Sequence, residues 1–312
     1  MTILVYLEAA PVRGGIEIFA ERHVARLRET GHTVVIASDL NGVDFNRYDA
    51  IVVHKCNDVA TLEKFPPEKT TFFVHDHEPM CPRGYAYTPL GRNCTRPGGL
   101  WPCILCAPLC RGWKRAIRRV ADQSRRRRAM GRFAKIVVIS NFMKSRLVAN
   151  GLDPARIEVR SVEIPDPPAL DDCEGPSGAI DLLYVGQLIR GKGVHLLLKA
   201  MAKMERHRTL DIVGTGNMEA KLKTLAHKLG LGDRVFFRGF RRNPQEWMAK
   251  AECVVVPSFW QEPYGLVAAE AASLGRKVVA FAIGGIPEAC AGRATLVEAG
   301  NIDALAAALD KI

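Results

Sequence analysis

Two glutamates, Glu262 and Glu270, stand eight positions apart in the stretch SFWQEPYGLVAAEAASLG, which runs from a loop into a helix. The strand CVVVPS precedes it, so the loop lies at a strand's carboxyl end and GLVAAEAASLG is the helix behind it. At the helix start the backbone N–H groups of Gly265 and Leu266 lack intrahelical partners and carry the positive end of the helix dipole. That is an anion site, most simply for phosphate. Carboxylates beside a phosphate are repelled by it unless each accepts hydrogen bonds from neutral hydroxyls, which sugars supply in vicinal pairs. The spacing therefore suits a ligand with hydroxyl-rich groups flanking a diphosphate. A dipole-stabilised glutamate followed by a solvated one would have the same spacing.

A second set of reactive side chains lies in the first half. Of nine cysteines, five fall between Cys81 and Cys110. Cys103 and Cys106 have the spacing of a metal knuckle, and Cys81 and Cys94 would complete four thiolates, with Cys110 or His77 as alternatives. A structural zinc would order an otherwise irregular segment. An iron–sulfur cluster uses the same ligands, and free buried thiols need neither. Residues 111–135 then carry 11 Lys/Arg against the single Asp122, so the formal charge of +11 is local rather than spread over the chain. WKRAIRRV reads as an amphipathic helix whose basic residues surround Trp113, Ile117 and Val120, a pattern that lies on an anionic membrane surface. Few aromatics are interleaved with the arginines, which argues against nucleic acid. No run of about 20 apolar residues occurs, and MTILVYLEAAP is too short for a secretory signal. The expected location is the cytoplasm, peripheral on the inner face of the membrane.

These residues must be positioned by elements that repeat along both halves. Short β-branched runs (ILVYL, VVIAS, DAIVVH, TFFVHD and KIVVIS, then DLLYVG, TLDIVG, RVFFRG, CVVVPS and KVVAFA) alternate with helical stretches. Such alternation implies parallel pairing and doubly wound α/β sheets. A proline- and acid-rich segment, 161–179, separates the halves. The expected domains are 1–165, with a Cys-rich insertion at 77–110 and the basic stretch 111–135, and 166–312. Two open sheets of this kind face a central cleft and bind ligands at the carboxyl ends of their strands.

In order along the chain stand GGIE at 14–17, HD at 75–76, VVISNFMKSRL, VGQLIRGKG at 185–193, VGTG at 213–216, VFFRGF, the two-glutamate stretch, and GGIPE at 284–288. Their ordered sum resembles the family 4 glycosyltransferases, whose GT-B fold joins two Rossmann-like doubly wound domains across a cleft. The resemblance implies a retaining enzyme, with no metal or cofactor required for catalysis, that takes a sugar from a nucleotide-diphosphate sugar. The acceptor would be a saccharide or polyprenyl-linked saccharide in cell-envelope glycan assembly. It also implies roles. Glu262 would contact the transferred sugar and Glu270 the ribose. Gly265 and Leu266 would hold the distal phosphate, and Lys192 would neutralise the departing diphosphate. Gly214 and the backbone at Phe240 would line the donor, with Phe240 near the base. Gly15 would let a ligand approach the first domain's loop, and His75 would lie near the sugar. One departure is that Gln187 stands where the family has Arg, so that Arg190 would have to supply the missing charge. Two rival readings are a GT-B hydrolase or epimerase acting on the nucleotide sugar, and a non-catalytic, metal-stabilised protein that binds membrane or RNA.

Overall fold

The computed structural model describes residues 1–8, 15–88, 93–98, 103, 106, 113–160, 164, 176 and 178–312. The chain divides into two compact units, Met1–Ser161 and Val162–Ile312.

The first unit runs β1 (Thr2–Leu7), α1 (Gly15–Glu29), β2 (Thr33–Ala37), β3 (Ala50–Lys55), α2 (Val59–Leu62), β4 (Thr70–Val74), α3 (Trp113–Arg132), β5 (Lys135–Val138), α4 (Asn141–Val148) and β6 (Ile157–Val159). All six strands pair in parallel in the order β2-β1-β3-β4-β5-β6. A parallel sheet is covered on both faces, which is why its strands are nearly continuous apolar runs. Alternate residues serve the two faces. Leu4, Ile51, Phe72 and Ile136 pack with Met130, Met143 and Leu147 on one side. Ile3, Val5, Val52, Phe73 and Val137 pack with Val24 of α1 on the other.

Helix α3 extends well beyond the WKRAIRRV expected from sequence. Its Val120, Ala129 and Met130 are buried, and Ala129 and Met130 belong to the core, so the apolar side of the basic stretch is largely used inside the unit. Ile117 of the expected apolar stripe is exposed, at 50%. Several arginines are used internally as well. Arg126 donates to the carbonyls of Cys56 and Asn57 at 2.7 and 2.5 Å, and Arg125 pairs with Glu63 at 2.6 Å.

The second unit runs β7 (Ile180–Val185), α5 (Val194–Met201), β8 (Leu210–Val213), α6 (Glu219–Lys228), β9 (Val235–Gly239), α7 (Pro244–Lys250), β10 (Ala251–Val256), α8 (Leu266–Ser273), β11 (Lys277–Phe281), α9 (Ile286–Cys290), β12 (Thr295–Val297) and α10 (Ile302–Asp310). Its strands are again all parallel, in the order β12-β11-β10-β7-β8-β9. The winding direction reverses between β7 and β10, and in the first unit between β1 and β3. Such reversals open a crevice at the carboxyl ends of the strands, where α/β sheets take their ligands. No helix among the described residues is long and apolar enough to cross a membrane.

Candidate functional site

The loops that follow β7 and β10, on either side of the second sheet's reversal, carry the central pair of the site. Lys192 Nζ lies 2.6 Å from Glu262 Oε1. Ser258 Oγ and Trp260 Nε1 donate to the same oxygen, each at 2.7 Å. Among the described residues no donor reaches Oε2. Burial alone would push the Glu262 carboxyl up. The Lys192 charge and the donors from Lys192, Trp260 and Ser258 outweigh it, holding the group below its ordinary value. Glu262 is therefore a fixed carboxylate with one oxygen saturated and the other available to accept from a ligand hydroxyl.

Glycines clamp this loop from two sides. Gly193, at φ 75°, passes so close to the β10 end that a Cβ there would lie 1.8 Å from the Pro257 carbonyl oxygen. Gly284, at φ 61°, would put a Cβ 2.3 Å from the Glu262 carbonyl oxygen. Only a residue without a side chain satisfies both the conformation and the contact. Phe259 and Trp260 donate their N–H groups to Gly191 O at 3.1 and 3.3 Å, and Gly285 N–H donates to Glu262 O at 2.8 Å. The Trp260 ring also covers Gly191 and takes the Lys192 ammonium at 5.3 Å from its centroid, a cation–π contact.

Helix α8 begins three residues beyond Pro263. Its first cap, Gly265, sits at φ 111° and supplies no side-chain hydrogen bond, so the amides of the first turn remain for a ligand. Glu270 is half-buried on the same helix. Gln187 and Arg190 are both exposed on the loop after β7, and Arg190 is among the cations acting on His195, whose pKa is lowered to about 4, first by burial. Gly214 ends β8 so close to the loop after β7 that a Cβ would lie 1.9 Å from Gly186 O. Phe240, just past β9, is 69% exposed, an uncovered aromatic face at the same edge of the sheet.

The residues expected in the first unit fall differently. Gly15 opens α1 and is exposed, while the rest of its loop, 9–14, lies outside the described residues. His75 follows β4 and lines a pocket with His54, Lys55, Asp76, Glu78 and Arg126. Burial raises the Asp76 carboxyl to about 7, with Glu78 adding to the rise. Cys81, Cys94, Cys103 and Cys106, expected as thiolate ligands, are all unbridged. Among the described residues no group of three or more His, Cys, Asp or Glu is gathered to hold a metal. Instead the Cys106 sulfur accepts from Arg83 at 3.9 Å, and Cys110 lies outside the described residues.

Sequence reasoning missed Ser258, Trp260 and the histidines that precede His75. The first two stand inside the stretch that carries Glu262, and the signal that finds them is that a buried carboxylate needs donors close at hand.

Residues 174–312 match the family model described as Glycosyl transferases group 1. An uncharacterized glycosyltransferase of Methanocaldococcus jannaschii is 32% identical over 160 residues, covering 46% of this chain and 38% of that protein. A D-inositol 3-phosphate glycosyltransferase of Xylanimonas cellulosilytica is 37% identical over 111 residues, covering 34% and 26%. The matched part is thus less than half the length of either curated relative. Among solved structures, HepE of Anabaena in complex with UDP and glucose superimposes with a TM-score of 0.67 at 18% identity, over 100% of this chain and 89% of that one. WaaG, a glycosyltransferase involved in lipopolysaccharide biosynthesis, superimposes at 0.66 with 17% identity, over 99% and 90%. With the two parallel sheets, these likenesses identify the fold as GT-B.

Proposed function

We propose that the chain is a glycosyltransferase that moves a sugar from a nucleotide-diphosphate sugar to a saccharide or lipid-linked saccharide, with retention at the anomeric carbon. The observation that carries this reading is the Lys192–Glu262 pair beside the uncapped start of α8. Two opposite charges held at one crevice are suited to a ligand that is itself divided. The diphosphate takes the ammonium and the helix-start amides, and the sugar hydroxyls donate to Glu262 Oε2.

The reaction follows from that division. As the bond between the anomeric carbon and the diphosphate oxygen breaks, negative charge grows on the diphosphate, and Lys192 meets it there. The acceptor hydroxyl attacks from the face the diphosphate leaves, and its proton passes to the departing oxygen. Glu262 positions the sugar and takes no proton. Gln187 offers hydrogen bonds where a cation would offer charge, so Lys192 carries most of the neutralisation, with Arg190 the next cation on the same loop. Glu270 accepts from the ribose, Gly214 lines the donor, and the exposed Phe240 face takes the base. His75 belongs to the sugar and acceptor side.

The group 1 match over the second unit and the UDP complexes of the HepE neighbour support a nucleotide-sugar donor. For the acceptor side, the exposed Arg118, Arg128 and Arg132 of α3 suit an anionic membrane surface by charge, since the helix's apolar side is largely occupied. The experiment is to incubate the protein with UDP-, GDP- and ADP-sugars, with and without saccharide acceptors, and to follow nucleoside diphosphate release and product linkage. Acceptor-dependent release with retained configuration is expected. Release without acceptor favours the hydrolase or epimerase, and no release from any donor removes the reading.

A further inference from the structure

The first unit holds a second polar cluster, of which the proposed function uses only His75. His23 of α1, His54 of β3 and His75 beyond β4 stand in a row. His23 Nδ1 lies 2.9 Å from His54 Nε2, and His54 Nδ1 lies 3.1 Å from His75 Nε2. The rings are caged by Phe73, at 4.9 Å from His23 and 4.6 Å from His54, and by Phe19, at 5.7 Å from His54 and 5.0 Å from His75. His54 is 2% exposed. A row of three imidazoles in an aromatic cage does little for stability that a leucine would not do, because each buried ring nitrogen must be matched.

Burial holds all three rings neutral. It lowers His23 to about 4, with Arg160 and Arg26 adding to the effect. It lowers His75 to about 3, helped by His23 and Lys55, and His54 further, helped by its two neighbours. A neutral imidazole has one N–H and one lone pair. Two consecutive hydrogen bonds through His54 therefore admit only two arrangements. Either every ring donates toward His75, or every ring donates toward His23.

The groups at the two ends choose between them. His23 Nε2 is the outer nitrogen at one end, where the nearby charges are two guanidiniums, Arg160 and Arg26, the first also bonded to Glu158 at 2.6 Å. His75 Nδ1 is the outer nitrogen at the other, and among the described residues it has no partner. The pocket it lines contains one ammonium, Lys55, 3.7 Å from Glu17, one guanidinium, Arg126, 3.9 Å from Glu78, and the acids Asp76 and Glu78. A lone pair is stabilised by facing cations and an N–H by facing acids. Cations act at both ends, Arg160 and Arg26 on His23 and Lys55 on His75, but the pocket that His75 lines also contains the carboxyl groups of Asp76 and Glu78, which can accept from an N–H.

We propose that His23 and His54 are positioning residues that lock His75 in its Nδ1–H form, so that the first unit offers a neutral N–H to an oxygen of an uncharged ligand, of the hydroxyl or ether class found in saccharides. Donation runs from His23 Nδ1 to His54 Nε2, from His54 Nδ1 to His75 Nε2, and from His75 Nδ1 into the pocket. A neutral donor recognises a hydroxyl without drawing a free phosphate into the same place. The tautomer assignment stands independently of the glycosyl-transfer reading, whereas its effect on turnover rests on that reading.

The test is nitrogen-15 NMR of the full chain labelled at its eight histidines, with each ring assigned by single substitution. At pH 7 all three rings are expected to carry hydrogen on Nδ1 and none on Nε2. His54→Phe keeps the ring volume and breaks both bonds, and His75 should then shift toward the Nε2–H form. With donor and acceptor, the same variant is expected to lose about tenfold in kcat, the size of a lost positioning effect, with donor KM within about twofold. His54→Gln, which can still donate and accept, should recover part of it. If His54→Phe fails to fold, His23→Phe, which removes the donor at the half-buried end of the row, carries the same tautomer test. Hydrogen on His75 Nε2 in the wild-type protein, or an unchanged His75 tautomer in the folded variant, overturns the lock. Full kcat in a His54→Phe protein whose tautomer has shifted overturns the donor role. If the wild-type protein turns over no nucleotide sugar, the spectra alone decide the lock.

Discussion

The two units solve the same geometric problem with opposite chemistry. Each has six parallel strands whose winding reverses once, and each buries polar side chains at the carboxyl ends of its strands. In the second unit these are a full ion pair, Lys192 with Glu262. In the first they are three imidazoles kept neutral. A charged pair at a crevice is suited to a ligand that brings its own charge, because the ammonium can pass from carboxylate to diphosphate without ever being unpaired. A neutral row is suited to a ligand that brings none. On the proposed function the difference divides labour between units: the second takes the diphosphate together with the hydroxyls beside it, and the first offers a neutral donor to hydroxyls alone.

The sharpest way to break that comparison is Lys192→Ala. On the proposed function it removes the cation that meets the leaving group, and kcat is expected to fall about 10³-fold, in a steady-state assay of nucleoside diphosphate release. A loss confined to KM would mean that Lys192 binds the ground state alone. The buried Glu262 would also lose its partner, so thermal stability should fall and should be measured alongside.

Trp260→Phe is a finer probe, because it keeps the ring over Gly191 and removes one of three donors to Glu262 Oε1. A loss of about 1.5–3 kcal/mol is expected for one hydrogen bond to a charged group, read as roughly a tenfold or greater change in kcat/KM. Ser258→Ala should behave alike, and the double variant should lose less than the sum if Lys192 compensates.

Acid separates the units. The folded pKa values of His23 and His75 lie below the ordinary 6.5, so the unfolded chain takes up protons first. Stability of the first unit should fall as pH drops below about 6.5, by up to about 1.4 kcal/mol per pH unit for each histidine, until pH passes the folded values near 4 and 3. Glu262, held below its ordinary value, contributes stability that is present above about 4.5 and is lost as pH falls through its folded pKa. Hydrogen exchange at pH 7, 5.5 and 4.5 should show protection lost first in β3 and β4 and later in β10. Simultaneous loss would mean that the two clusters do not differ as described.

Much of this was legible in the sequence because parallel sheets write themselves as repeated apolar runs. KIVV and CVVVP announce their strands, and the loop after each is where function gathers. The three-residue strands Ile157–Val159 and Thr295–Val297 escaped, since three residues carry no period. The glutamates were found by spacing, but their pairing was not. Glu262 and Lys192 are 70 positions apart, and the sequence points them at different parts of the donor, whereas the structure pairs them directly. The histidine row was invisible for the same reason, being assembled from α1, β3 and the end of β4 by the sheet itself. The basic stretch misled in part, because a helix rich in arginine still has a side that faces the core, and Val120, Ala129 and Met130 occupy it.

The central claim is that the Lys192–Glu262 pair divides between diphosphate and sugar, and the most direct measurement is calorimetric titration of wild-type protein and Glu262→Gln with UDP, GDP and ADP and with the matching nucleotide sugars. At least one diphosphate should bind the wild type, and its sugar form more tightly. In Glu262→Gln the diphosphate should bind within about threefold of wild type while the sugar's added affinity is lost, a difference of about 1–3 kcal/mol for hydrogen bonds to a charged acceptor. If no diphosphate binds the wild type at millimolar concentration, or if the variant keeps the full preference for the sugar form, the pair does not have this role.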